Sequence, residues 1–237
     1  MRKNKRSFSK LIIESPDYQF NSPVGFLALE GVNGAGKSTL LSKLSSYLSN
    51  TYEHILTREP GGTAFGEHIR KVLLETAGSE RLPLSEVFLF AADRSHHVAT
   101  KIRPALDQGK LVLTDRFLYS TVAFQGYGRG LDLDQVKLIN DIAVQGCYPD
   151  IIILLDLDPE EGLRRNSNPT KNVVDSFEAE DIEFHRRLRH GFLEIAENYN
   201  EPFFVIDAAQ PADEIFNQVL PLINHWLECV QTANRTQ

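Results

Sequence analysis

The sequence has few of the features that mark a secreted or metal-centred protein. Its 237 residues include only two cysteines, Cys147 and Cys229, which stand far apart and in no zinc-ligand pattern. Neither a disulfide framework nor a zinc site is therefore expected. Two unpaired thiols in a reducing cytoplasm are the simplest interpretation.

Long hydrophobic runs are also missing. No apolar stretch approaches the roughly 20 residues that a membrane-spanning helix needs, so no membrane partner is expected. The first seven residues are basic, but no hydrophobic stretch of the kind found in a secretory signal follows them. We therefore predict a cytoplasmic protein in which residues 1–24 form a loosely ordered extension.

Positive charge is in deficit, because the formal net charge is -7. A general nucleic-acid binder would normally be basic, so no nucleic-acid partner is expected. Any anionic ligand must instead be met by local cations. The length and the 42% hydrophobic content suit one α/β core. We predict a single domain over residues 25–230, with residues 231–237 as a C-terminal tail.

A glycine-rich loop, Gly31–Ser38, stands between the apolar run 26–29 and a helical pattern over 39–48. A strand, a glycine turn and a helix N-terminus in this order direct backbone N–H groups at a phosphate. Lys37 would reach the β- and γ-phosphates of ATP, and the Ser38 hydroxyl would bind Mg²⁺. The predicted ATP-binding residues are Gly31, Val32, Asn33, Gly34, Ala35, Gly36, Lys37, Ser38 and Thr39.

Short apolar runs alternate with helical patterns along the rest of the chain. The predicted strands lie at 26–29, 54–57, 111–114, 151–155 and 203–206. The predicted helices lie at 39–48, 65–73, 84–101 with Pro104 as the stop, from Pro159 onward, 177–199 and 211–230. This alternation predicts an α/β protein with a five-stranded parallel sheet flanked by helices on both faces.

Ligands of such a sheet bind beyond the carboxyl ends of its strands. The residues that directly follow predicted strands there include Arg58, Asp115, Arg116 and Asp156. Asp115 is placed to serve a magnesium site together with Ser38, and Arg116 to clamp a second phosphate. An ordinary Asp–Arg surface pair would explain either of these two residues alone.

Four further segments resemble the successive signatures of bacterial thymidylate kinases. They are Thr57–Thr63, Leu89–Arg94, Thr114–Phe117 and Ala123–Gly126, and the resemblance covers about residues 25–229. It implies a P-loop NTPase fold with a small lid, here at about 164–176, and a homodimer. It also implies that the protein phosphorylates dTMP to dTDP with Mg-ATP in dTTP synthesis.

The resemblance also implies roles for individual residues. Phe90 would stack on thymine and Arg94 would contact a thymine carbonyl, although a core phenylalanine and a solvated charge are their ordinary alternatives. Arg58 and Arg116 would hold the acceptor phosphate, and Gln125 would lie near the base edge. The implied catalytic residues are Lys37, Asp115, Arg116 and Arg165, with Ser38 and Asp115 at the metal.

The sequence departs from these relatives at two places. Asn33 stands where they carry an acidic residue that meets the acceptor's sugar, which puts sugar recognition in doubt. The lid carries few cations, so Arg165 is the first candidate for neutralising transition-state charge, followed by Arg164 and Lys171. Alternatively, both arginines simply complement the dipole at the end of the helix from Pro159.

Two other functions remain open from the sequence. One is a kinase of the same fold that acts on another nucleoside monophosphate, since a thymine methyl group contributes only about 1–3 kcal/mol to a pocket. The other is a catalytically idle nucleotide-binding protein, which the altered lid and Asn33 would suit.

Overall fold

The computed structural model describes residues 18, 20, 23–75, 81–166 and 176–235. All five predicted strands are present and form one parallel sheet in the order β2-β3-β1-β4-β5. Their bounds are β1 Phe26–Gly31, β2 His54–Arg58, β3 Leu111–Asp115, β4 Ile151–Asp156 and β5 Phe203–Asp207. The predicted α/β parallel architecture is confirmed.

The central strand β1 explains where the site must lie. All six of its residues are buried, so both faces of the sheet are covered at this position. It pairs with β3 on one side, Leu27 opposite Leu113, and with β4 on the other, Leu27 opposite Ile151. The loop that follows β1 therefore leaves the sheet at its centre, among the carboxyl ends of its neighbours.

The helices cover this sheet, and two of them, over Leu118–Thr121 and Leu133–Val144, lie where no helix was predicted. Their bounds are α1 Lys37–Leu48, α2 Ala64–Glu75, α3 Pro83–His97, α4 Arg103–Asp107, α5 Leu118–Thr121, α6 Leu133–Val144, α7 Pro159–Asn166, α8 Ile182–Asn198 and α9 Ala212–Asn234. Helix α1 packs against α9 and the first three strands, and α8 packs against β1, β4 and β5.

Two predicted helix boundaries are wrong. Pro104 does not end the third helix, because a π-helical turn over Val98–Ile102 leads into α4 and the proline occupies its first turn. Proline is tolerated there since it has no N–H to leave unbonded. Phe177 lies in a turn, and α8 begins only at Ile182, where the Asp181 side chain accepts from Phe184 N at 2.7 Å.

The described end of the N-terminal extension lies against the sheet edge. The Tyr18 ring lies 5.6 Å from that of Phe204 in β5, and the Phe20 ring lies 5.7 Å from that of His225 in α9. Residues 1–17 lie outside the described residues, as do 167–175 of the predicted lid, including Lys171. Helix α9 continues to Asn234 and so includes the start of the predicted tail.

Asp150 fixes the entry of β1, at the end of the strand opposite to the loop. Its carboxylate accepts from the backbone N–H groups of Val24, Gly25 and Phe26 at 3.0, 2.7 and 2.8 Å. The indole N–H of Trp226 also donates to it, at 3.2 Å.

Cys147 and Cys229 are free thiols. Within the described ranges, no helix is both long and apolar enough to cross a membrane.

Candidate active site

The loop after β1 is shaped by two glycines in the left-handed region. Gly34 has φ of 78° and Gly36 has φ of 95°, which side chains other than glycine rarely adopt. A Cβ at Gly34 would lie 2.1 Å from the carbonyl oxygen of Gly162. The loop therefore packs backbone to backbone against α7, while α1 begins at Lys37 and points its free N–H groups into the loop.

The Lys37 side chain lies inside this loop. Its ammonium donates to the carbonyl oxygens of Gly31 at 3.1 Å and Val32 at 2.9 Å. Burial and the neighbouring Arg116 guanidinium lower the pKa of Lys37 to about 7, against the opposing effect of the Asp115 and Glu30 carboxylates. The buried cation is thus short of negative charge, which a phosphate would supply.

Ser38 and Asp115 meet as the sequence predicts. The Ser38 hydroxyl donates to Asp115 Oδ2 at 3.0 Å. A hydroxyl and a carboxylate are hard oxygen donors of the kind that Mg²⁺ takes, usually together with substrate phosphates and water. Among the described residues, no three His, Cys, Asp or Glu side chains form a cluster of metal ligands. The donor set therefore fits a magnesium ion shared with a nucleotide.

Arg116 is held on three sides. Its guanidinium donates to Gly31 O at 2.8 Å, Ser120 Oγ at 3.0 Å and Asn33 Oδ1 at 2.5 Å. It also lies 5.1 Å from the centre of the Phe124 ring, in a cation–π geometry. Its backbone has φ of 69°, which is uncommon for a residue other than glycine. These bonds aim the guanidinium at the loop.

A cavity of about 310 Å³ opens beside these groups. Aromatic rings and guanidinium groups both line it, which suits a flat base joined to a phosphate. The aromatic lining residues are Phe90, Phe117, Phe124 and Phe177, and the arginines are Arg58, Arg70, Arg94 and Arg116. Asn33, Lys37, Ser38 and Asp115 line it as well, which joins it to the phosphate loop.

Arg94 is part of a buried polar network and is not a solvated charge. It is 1% exposed, and its Nε and Nη2 both lie 2.8 Å from Glu59 Oε2. Its Nη1 donates to Asn140 Oδ1 at 2.6 Å and Thr121 Oγ1 at 3.1 Å. The Phe90 ring lies 6.1 Å from that of Phe177 and forms part of the cavity wall.

The three remaining candidates, Arg58, Gln125 and Asp156, have different surroundings. Arg58 lines the cavity and is bidentate to Glu67 at 3.0 and 3.1 Å. Gln125 is not among the described residues that line it, and instead donates to the buried Glu86 at 3.2 Å. Asp156 is bidentate with Arg189 at 2.7 and 2.8 Å, which is a structural ion pair.

A second cavity, of about 640 Å³, lies on the other side of the loop. The loop and α1 line it from Gly34 to Leu40, opposite Ala209–Ala212. Arg165 lines it too, and donates to Glu161 at 2.7 Å and to the carbonyl oxygen of Ala208 at 2.9 Å. Gly34, Lys37 and Ser38 line both cavities, so the two meet at the phosphate loop.

Comparison with known proteins agrees with this geometry. The thymidylate kinase family model matches residues 29–219. The chain belongs to the thymidylate kinase family. It is 44% identical over 203 residues to the thymidylate kinase of Nitratidesulfovibrio vulgaris, covering 82% of this chain and 94% of that one. The Desulfosudis oleivorans enzyme is 44% identical over 216 residues, at 89% and 99% coverage.

A solved structure of this family gives the same fold. The crystal structure of thymidylate kinase from Ehrlichia chaffeensis superposes with a TM-score of 0.67 at 34% identity. The match covers 84% of this chain and 97% of that one. The P-loop NTPase fold predicted from the sequence is therefore confirmed.

Sequence reasoning missed several acidic residues around this thymidylate kinase site. Glu59 joins Arg94 to His97, and Glu178 lines the first cavity from the segment before α8. Glu30 is fully buried near the end of β1. Only Glu30 leaves a signal in the sequence, as a charge within an otherwise apolar strand; the other two depend on contacts between distant segments.

Asp93 is a buried carboxylate next to the turn that follows β2. Its Oδ2 accepts from Gly61 N at 3.0 Å, whereas Oδ1 has no hydrogen-bond partner among the described atoms. Burial and the nearby Glu59 raise the pKa of Asp93 to about 7. The folded protein therefore takes up a proton at Asp93 at a pH where the unfolded chain has released it.

This uptake predicts a pH-dependent stability. Because the folded pKa is raised, the contribution of Asp93 is present at acid pH and is lost as the pH rises through about 7. Asp93→Asn keeps an acceptor and removes the titration. From about pH 5 to about pH 8 the wild type should lose up to a few kcal/mol relative to the variant, at ~1.4 kcal/mol per pKa unit. Urea unfolding at each pH measures this difference. Parallel plots of the unfolding free energy against pH for the two proteins would contradict the prediction.

Proposed function

We propose that this thymidylate kinase transfers the γ-phosphoryl group of Mg-ATP to dTMP, bound in the second and first cavity respectively. The observation that carries the proposal is the shared boundary of the two cavities, formed by Gly34, Lys37, Ser38 and Asn166. A donor and an acceptor phosphate bound on either side of it would meet across the loop. Such positioning is the main requirement of phosphoryl transfer.

The charged groups at this boundary have separate tasks. Lys37 neutralises charge on the β- and γ-phosphates, and Arg116 meets the acceptor phosphate. Mg²⁺ held by Ser38 and Asp115 would supply further charge neutralisation at the transferred group. Asp115 serves the metal and needs no basicity of its own. The catalytically idle alternative gains no support, because these groups are all assembled.

Acceptor recognition falls to the first cavity. Phe90 offers a ring face to thymine. The contact of Arg94 with a base carbonyl stays a prediction, since its guanidinium is bonded to Glu59, Asn140 and Thr121. Arg58 joins Arg116 at the phosphate. The role of Gln125 at the base edge stays a prediction, since its amide is bonded to Glu86.

The two hydrogen-bond partners of Asn33 explain why an amide suits this position. Its Oδ1 accepts from Arg116, and its Nδ2 donates to Glu178 Oε1 at 3.5 Å. An amide can make both contacts, whereas a carboxylate at this position would repel Glu178. We propose that Asn33 links Arg116 to the lid side of the cavity, so that the lost charge need not mean lost sugar recognition.

The test of the function is a coupled assay of the purified protein. With Mg-ATP, we expect dTMP to be phosphorylated in preference to dUMP, dCMP, dAMP and dGMP. Lys37→Ala and Arg116→Ala should lower kcat by about 100-fold or more, the scale of one lost transition-state contact, while both variants stay folded by circular dichroism. Phosphorylation of another monophosphate in place of dTMP, or unchanged turnover in both variants, would overturn the proposal.

Arg165 is the proposed lid-side cation, and its neighbour offers a matched control. Arg164 pairs with the same Glu161 but is 74% exposed and is not among the residues described as lining either cavity. Arg165→Ala should lower kcat by about tenfold or more and raise KM for ATP, with KM for dTMP little changed. Arg164→Ala should change each constant by less than about twofold. Equal effects of the two substitutions would refute the assignment.

A homodimer is proposed from a patch on α3 and α6, which pack together. Phe88 is 56% exposed, Leu138 62% and Ile142 69%, which is a large apolar surface for neighbouring helices. We expect sedimentation equilibrium to give twice the chain mass at micromolar concentration. Ile142→Asp should shift the protein toward a monomer, and a monomeric wild type would contradict the proposed homodimer. The cytoplasmic location stays a prediction.

A further inference from the structure

Glu30 is an acidic side chain at the centre of the molecule, and the mechanism above does not use it. It is the penultimate residue of β1 and is 0% exposed. A carboxylate in such a place requires good hydrogen bonds, since an unpaired buried charge is strongly destabilising. Its partners should therefore reveal its role.

All the hydrogen bonds described for Glu30 go to the segment that follows Arg116. Its Oε1 accepts from the backbone N–H of Phe117 at 2.9 Å and of Ser120 at 3.2 Å. Its Oε2 accepts from the Ser120 hydroxyl at 2.5 Å. These groups form the first turn of α5, so one carboxylate fixes the start of that helix.

The same serine contacts the Arg116 side chain. Ser120 Oγ accepts from Arg116 Nη1 at 3.0 Å while it donates to Glu30. Glu30 thus holds Arg116 through two routes, the peptide that follows it and the hydroxyl that meets its guanidinium. Removing Glu30 would leave two buried N–H groups unbonded and would free the Ser120 hydroxyl to turn away.

The backbone of Arg116 needs such support. Its φ of 69° lies in the left-handed region, where a residue with a side chain is strained. Arg116 N donates to Leu29 O at 2.9 Å, and Thr114 Oγ1 donates to Arg116 O at 2.8 Å. These bonds hold the peptides on either side of the Arg116 α-carbon. Glu30 adds a third bond, which it accepts from the N–H of Phe117.

The charge interaction between Glu30 and Arg116 supports the same link between the two residues. Burial raises the pKa of Glu30 to about 7, and Arg116 is the largest of the influences that oppose this rise. The Arg116 guanidinium therefore stabilises the charged form of the Glu30 carboxylate across Ser120.

We infer that Glu30 is a positioning residue for phosphoryl transfer, which acts through Phe117 and Ser120 to hold the Arg116 guanidinium against the acceptor phosphate of dTMP. The inference rests on the proposed role of Arg116. Because the hydrogen bonds of Glu30 go to Phe117 and Ser120 beside Arg116, its loss should affect dTMP far more than the binding of ATP.

Steady-state kinetics of Glu30→Ala, Glu30→Gln and Ser120→Ala tests this inference. Glu30→Ala should raise KM for dTMP and lower kcat, with kcat/KM for dTMP reduced by about 30-fold or more and KM for ATP changed less than about twofold. Glu30→Gln keeps an oxygen that accepts from both N–H groups and should retain most of the wild-type kcat/KM for dTMP. Ser120→Ala breaks only the side-chain route and should cost about three- to tenfold.

Asp150→Ala is the matched control for stability. Its carboxylate also accepts from backbone N–H groups, but at the far end of β1. It should lower the midpoint of thermal unfolding without changing KM for dTMP. If Glu30→Ala does not fold, Glu30→Gln and Ser120→Ala decide: unchanged dTMP kinetics in Ser120→Ala would then overturn the inference. Equal losses for ATP and dTMP in any Glu30 variant would overturn it as well.

A double-mutant cycle separates this inference from the proposed function. In an Arg116→Ala background, adding Glu30→Ala or Ser120→Ala should cost nothing further in kcat/KM for dTMP. Additive losses would overturn the positioning role. If Arg116→Ala alone leaves dTMP kinetics unchanged, the proposed role of Arg116 fails first. If it is severe while the Glu30 and Ser120 variants behave like wild type, only the positioning role fails.

Discussion

The carbonyl oxygen of Gly31 accepts hydrogen bonds from two cations, Lys37 at 3.1 Å and Arg116 at 2.8 Å. Two positive groups this close repel each other, and both are largely removed from water. Their stability depends on the strand that supplies the carbonyl and on the carboxylates of Glu30 and Asp115 nearby. A chain with a formal charge of -7 thereby concentrates positive potential at one point.

The arrangement also explains why the site forms at the sheet centre. The terminal carbonyl of β1 lies between the loop that follows β1 and the loop that follows its neighbour β3, and each loop supplies one cation. β1 sends the phosphate loop, and β3 sends Arg116. The topology thus brings Lys37 and Arg116 together at one carbonyl, so the fold itself sets the position of both cations.

The fold was largely predictable because its signals are local. Apolar runs locate all five strands, and the glycine loop locates the start of α1. The errors at Pro104 and Phe177 have a common cause, since a proline at a helix start and an apolar side chain in a turn both mimic other patterns. Periodicity cannot separate these cases from a helix stop or a helical face.

The candidate site was predictable in its phosphate-binding half and much less so elsewhere. Lys37, Ser38 and Asp115 follow from strand ends and motif spacing, and the structure brings them together. The partners of Arg94 could not be foreseen, because Glu59, Thr121 and Asn140 come from three separate segments. The amide of Gln125 likewise bonds to Glu86, which no sequence pattern near Gln125 indicates.

The contact between Gly34 and Gly162 has a mechanical consequence. With no side chain on either residue, the phosphate loop and α7 touch through their backbones, and a Cβ on Gly162 would lie 2.5 Å from Asn33 O. A backbone contact has no rotamers to absorb a displacement, so a shift of one partner is passed directly to the other. Helix α7 therefore cannot shift without displacing the phosphate loop, and its last turn places Arg165 in the wall of the second cavity.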